Sequence, residues 1–163
     1  MQPKYVSIIL PAVLIAGCAA PVQVPQKLSP GPNETLARVV PAKGDQIYEC
    51  RDGKWAFVAP DAELFDKSGR KIGRHYAGPH WEAADGSKVI GAVRERADAP
   101  VPNAIPWLLL SAKSVGEEGA FSKVTSIQRV ATAGGIAPAG ACAQPGDKAR
   151  VPYTADYYFF TAK

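Results

Sequence analysis

Residues 75–87, His-Tyr-Ala-Gly-Pro-His-Trp-Glu-Ala-Ala-Asp-Gly-Ser, hold both histidines of the chain, one of its three tryptophans and two carboxylates. Imidazole titrates near neutrality and serves as general acid, general base or metal ligand. Two chemistries follow from these residue types. His75 with Glu82 or Asp85 would move protons, as in a hydrolase or lyase. His75 and His80 with an acid would hold zinc and activate a water. Neither pattern is complete. There is no G-x-S-x-G nucleophile turn. The five-residue histidine spacing is no metal signature, and on a strand it sends the rings to opposite faces unless the chain bends at Gly78-Pro79. No metal and no cofactor is therefore expected, and the absence of G-x-G-x-x-G between a strand and a helix argues against a dinucleotide.

A purely architectural reading accounts for every residue in the stretch. His75-Tyr76 ends a strand, and Ala77-Gly78-Pro79 turns the chain. Trp81 then buries its ring with its N–H on a carbonyl, and Asp85-Gly86 closes a hairpin. His75 is the one residue left under suspicion of function. Aromatic residues offer a different function, a binding surface for sugars or peptides, with Trp55, Trp81 and Tyr157 as its candidates.

These residues have to be positioned by short elements. The chain of 163 residues suits one domain plus a leader, and its fifteen Gly and fifteen Pro imply many turns. Asp52-Gly53, Ser68-Gly69 and Asp85-Gly86 each separate β-prone runs, the signature of successive hairpins. Trp107–Ala112 is a continuous apolar run, read as a strand buried on both faces. On the next strand, Val124, Ser126, Gln128 and Val130 share one face, and Thr125, Ile127 and Arg129 the other. Residues 132–146 form a long loop, and Tyr153–Phe160 a terminal aromatic strand. No window outside the leader shows a 3.6-residue period. The expectation is an all-β, single-domain antiparallel sandwich or barrel of about eight to ten strands with long Pro/Gly-rich loops.

The address is written at the N-terminus. Lys4 precedes an apolar run, Val6–Ala16, too short to span a bilayer, which reads as a signal peptide over residues 1–17. Leu14-Ile15-Ala16-Gly17-Cys18 resembles a bacterial lipobox. That resemblance implies export, lipid on the Cys18 thiol and a membrane anchor, in an outer-membrane lipoprotein facing the periplasm or the surface. The alternative is cleavage after Ala20 and a soluble secreted protein. Residues 18–30 read as a tether and 31–163 as the domain. In an oxidising compartment Cys50 and Cys142 suit a disulfide closing 142 − 50 = 92 residues, worth roughly 4–5 kcal/mol in a loop-entropy account. Two separate buried thiols, or a redox pair, are the alternatives. The formal charge of +4 is scattered, with no basic run beyond Arg70-Lys71, so nucleic acid is not an expected partner.

Several phrases occur together in one order: Gln46–Arg51, Val58–Asp66, His75–Glu82, Asp85-Gly86-Ser87, Ala104–Leu110, Gly134–Pro138 and Ala155–Phe160. In this they resemble the DUF3455 family, a domain of unknown function in exported proteins. The resemblance runs from about residue 30 to the C-terminus and implies no activity. His80 stands where members often carry Thr, which leaves His75 as the better site candidate. The sequence thus favours a lipid-anchored envelope domain that binds a ligand or partner protein. The alternative is a hydrolase or lyase using His75. A pocket gathering His75 and Glu82 would favour the enzyme, and splayed side chains would favour binding.

Overall fold

A computed structural model describes residues 22–163. The leader and the lipidation site at Cys18 lie outside the described residues. Eight strands follow one another: β1 (Glu34–Arg51), β2 (Lys54–Phe65), β3 (Lys71–Tyr76), β4 (His80–Ala83), β5 (Lys88–Ala97), β6 (Trp107–Ser114), β7 (Val124–Gly134) and β8 (Lys148–Ala162). Each pairs antiparallel with the next, and β8 returns to β1, so the sheet closes into an up-and-down barrel. Closure removes every free sheet edge. The all-β expectation holds, and of its two architectures the barrel is the one formed.

The turns explain why the meander forms. Asp52 and Gly53 take φ of 52° and 74° between the paired Arg51 and Lys54, as a two-residue turn with both φ positive requires. The Asp66 carboxylate accepts the backbone N–H groups of Ser68 and Arg70 and so fixes the β2–β3 turn. β1 starts earlier than the prolines at 30, 32 and 41 suggest. Its pairing with β8, from Glu34 to Glu49, holds Pro41 within the strand, so tertiary pairing overrides local propensity.

One end of the barrel, the closed end, carries the turns 66–70, 84–87 and 115–123. Phe121 is fully buried there and meets Phe159 edge-on, with ring centroids 4.8 Å apart. The other end, the mouth, carries the β1–β2 turn, the turn 77–79, the crossover 98–106 and the loop 135–147. Cys50 and Cys142 form a disulfide at the mouth, with Cα atoms 5.7 Å apart, inside the range a bridge tolerates.

Two features depart from simple alternation. A bulge between Val124 and Ser126 turns Val124 into the barrel interior beside Ile127. Val124 therefore does not share a face with Gln128 and Val130, as strict alternation predicts. On the outer face, residues 22–30 lie as a strap across β5 to β8. Leu28 is fully buried against Ala97, Trp107, Leu109 and Val130. The Gln128 side-chain amide donates to the Leu28 carbonyl. The strap explains why β6 is apolar on both faces: Leu110 points into the barrel and Leu109 under the strap. It also shows that the end of the segment read as a tether, residues 18–30, packs on the domain.

Candidate ligand pocket

The mouth is lined by residues from all eight strands. His75 on β3 pairs in register with Trp81 on β4, and both point inward. The imidazole stacks on the indole with centroids 4.1 Å apart and planes 15° from parallel. The Tyr157 ring, from β8, meets both edge-on at 5.1 and 5.3 Å. Gly91 on β5 makes this cluster possible: a Cβ there would sit 2.7 Å from the Trp81 ring.

His75 is only 3% exposed, and its Nδ1 lies 2.7 Å from the His80 carbonyl oxygen. A carbonyl only accepts, so Nδ1 carries the proton and Nε2 keeps its lone pair. Burial, aided by the nearby Arg129 charge and opposed by the His80 carbonyl, lowers the His75 pKa to about 3. The ring is therefore a neutral acceptor at physiological pH.

Beside this cluster opens a cavity of about 380 Å³. Its walls are mostly apolar, with Phe57, Pro60, Val93, Leu108 and Leu110 among them, and Gln46, His75 and Arg129 add polar side chains to the polar tips of Trp81 and Tyr157. Phe57 and Val93, each more than half exposed, stand at its rim. Two of the residues lining it carry buried donors without partners: the Gln46 side-chain amide nitrogen and the Trp81 indole N–H. The indole N–H was expected to meet a carbonyl, and it does not. A buried donor left unpaired costs about 1–3 kcal/mol, so such groups in native folds call for an explanation. The Trp107 indole N–H is also unpaired, but Trp107 packs under the strap with Leu28 and does not line this cavity.

Arg129 is the one cation among the described residues that line the cavity. Its Nε and one terminal nitrogen donate to the Pro106 carbonyl at 3.1 and 2.8 Å, which clamps the crossover to β7. Thr132 Oγ1 donates to the neighbouring Ile105 carbonyl, from within the Val130–Ala133 bulge that re-aims this stretch. The carbonyl uses two of five guanidinium N–H groups. Among the described residues no carboxylate forms a salt bridge with Arg129. Its charge is felt at His75, Tyr48, Tyr153 and Tyr157.

The remaining sequence candidates lie elsewhere. Glu82 is on the outer face of β4, bonded to the Tyr76 hydroxyl and Arg74, contacts that hold its carboxyl below the usual range. Asp85 is at the closed end. Its Oδ1 accepts the Ser87 N–H and hydroxyl, and its Oδ2 the Ala120 N–H. Those bonds lower its pKa to about 2. The Ser87 hydroxyl oxygen in turn accepts the Phe121 N–H, so Asp85-Gly86-Ser87 is the clasp that holds the Phe121 plug. His80 pairs with Tyr76, its ring stacks on the Tyr76 ring, and its Nδ1 bonds the Ala77 carbonyl. The turn at 77–79 thus leaves the two histidines on opposite faces. Trp55 pairs with Cys50 beside the disulfide and does not line the cavity. Of the sequence candidates, then, His75, Trp81 and Tyr157 come together, and Glu82, Asp85 and Trp55 do not join them. Among the described residues no group of three or more His, Cys, Asp or Glu is placed to hold a metal ion.

The family of proteins of unknown function called DUF3455 matches residues 30–161. The chain belongs to this family. No curated protein and no solved structure matches it. The DUF3455 match begins within the strap and ends one residue before β8 does, so the domain of the family is the entire barrel, with both its plugged end and its mouth. Sequence reasoning missed Gln46 and Arg129 as residues lining the cavity of this DUF3455 barrel. The signal for Arg129 was present: it alternates with Ile127, a core residue, and is therefore an inward-facing charge.

Proposed function

We propose that this chain is a binding protein whose barrel mouth takes one small, mainly apolar molecule. The observation that carries the reading is the cavity of about 380 Å³ whose lining residues Gln46 and Trp81 keep buried donors without partners. Pockets for small ligands are concave and apolar, with a few convergent polar groups, and eight-stranded barrels have interiors of the size to hold one small ligand. The hydrolase or lyase reading gains no support, since a base at His75 needs a carboxylate that neither Glu82 nor Asp85 supplies. The reading includes a lipid anchor at Cys18, supported by the lipobox-like Leu14–Cys18 segment, which would hold the barrel at a bacterial envelope membrane.

A neutral, environment-sensitive dye, N-phenyl-1-naphthylamine, tests the pocket. It should bind the full-length chain with one site per molecule, and Leu108→Trp, which fills the cavity, should abolish binding while the thermal midpoint stays within a few degrees. Dye binding unchanged in the filled variant would overturn the proposal. For the anchor, Cys18→Ser should move the protein from the membrane fraction to the soluble one; an unchanged distribution would count against lipidation.

A further inference from the structure

We infer that the ligand of the mouth is a monocarboxylate with a compact apolar body, and that its carboxylate docks on Arg129. The inference rests on the binding reading above and names the ligand class. Arg129 lines the cavity with its charge uncompensated by any carboxylate among the described residues. The guanidinium fork matches a carboxylate, and in an apolar surround that pairing is far stronger than in water.

The other polar groups sort by the same chemistry. Gln46 and Trp81, 2% and 1% exposed, both line the cavity, and the amide nitrogen of one and the indole N–H of the other are donors without partners. A carboxylate has about four lone-pair sites and only accepts, so it satisfies donors of this kind and a cation together. His75 Nε2 is a neutral acceptor in the cluster, and it suits a hydroxyl elsewhere on the ligand.

Polar groups at the mouth therefore mostly ask for acceptors, and the only charge among them asks for an anion. The walls select the rest of the molecule. An enclosed apolar cavity of about 150 Å³ holds a benzene ring, so this one has room for a ring or short chain together with its head group. The apolar body packs between Leu108, Leu110 and the rim residues Phe57 and Val93. A dianion such as a phosphate ester would leave part of its charge without a partner.

Isothermal titration of the full-length chain decides the matter with two matched pairs: 3-phenylpropanoate against 3-phenylpropan-1-ol, and octanoate against octan-1-ol. Each acid should bind at least tenfold more tightly than its alcohol. The pair with the greater advantage tells an aromatic body from a straight chain. Arg129→Gln should erase the preference for the acid, and Arg129→Lys, which keeps the charge, should retain most of it. Arg129 also clamps the crossover, so the acid–alcohol comparison on the unmodified chain carries the test should Arg129→Gln not fold. Equal affinity for acid and alcohol would overturn the carboxylate assignment and leave the apolar pocket standing. Binding of none of the four compounds would overturn both.

Discussion

The two ends of the barrel use similar residues to opposite effect. At the closed end, Asp85 and Ser87 look like catalytic residues, yet every one of their polar atoms serves architecture. The carboxylate accepts three bonds, the hydroxyl accepts a fourth from the Phe121 N–H, and Phe121 fills the barrel above them. At the mouth, Gln46 and Trp81 are as deeply buried as Ser87, but the Gln46 amide nitrogen and the Trp81 indole N–H make no hydrogen bond of good geometry. A satisfied end stabilises the fold; an unsatisfied end costs stability and is kept for another reason, of which ligand binding is the simplest. Buried polarity alone therefore does not mark a site. The marker is buried polarity without a partner beside an open cavity.

Substitutions should separate the two ends. Phe121→Ala at the closed end should have the largest effect, a loss of roughly 3–5 kcal/mol in urea unfolding, with dye affinity at the mouth unchanged. Coupling of that variant to mouth affinity would break the division between the ends. Next comes acidification. The folded chain refuses a proton at His75 down to about pH 3, whereas the unfolded chain accepts it near 6.5. Stability should accordingly fall as pH drops from 6.5, by up to about 1.4 kcal/mol per pH unit. Asp66 and Asp85, both lowered to about 2, add to the loss only below their ordinary value of 3.8. The slope between pH 6 and 5 should vanish in His75→Gln, and its persistence there would mean that another group carries it.

Ser87→Ala should cost about 1–3 kcal/mol, because the Phe121 N–H loses its acceptor in a buried place, and should again spare the mouth. The smallest effect has the opposite sign. Gln46→Leu removes an unpaired buried amide and should leave stability unchanged or raise it by about 1 kcal/mol, while weakening binding of a carboxylate. A clear loss of stability in Gln46→Leu would mean that the amide is a structural group after all.

What the sequence disclosed follows the same division. The hairpins were legible because Asp52-Gly53 and Asp85-Gly86 act through local φ preferences, and the apolar run Trp107–Ala112 correctly implied burial on both faces. The stacking of His75, Trp81 and Tyr157 was half legible: the residue types were suspect, but their meeting depends on β3–β4 register and on barrel closure through β1 and β8. Long-range pairing also hid the start of β1, because Pro41 reads locally as loop. Neither the strap over Leu109 nor the bulge that turns Val124 inward has a local signature. Glu82 and Asp85 were drawn in by closeness along the chain, which in a meander sends neighbours to opposite faces and opposite ends.

The most direct test of the mouth as a ligand site is a ¹H–¹⁵N titration that follows the three tryptophan indole N–H resonances as 3-phenylpropanoate is added to the full-length chain. Trp107 is an internal control, since its N–H is equally unpaired but lies under the strap. The account predicts that the Trp81 resonance shifts in a saturable way while Trp107 and Trp55 stay in place. An unmoved Trp81, or three resonances moving together, would contradict it.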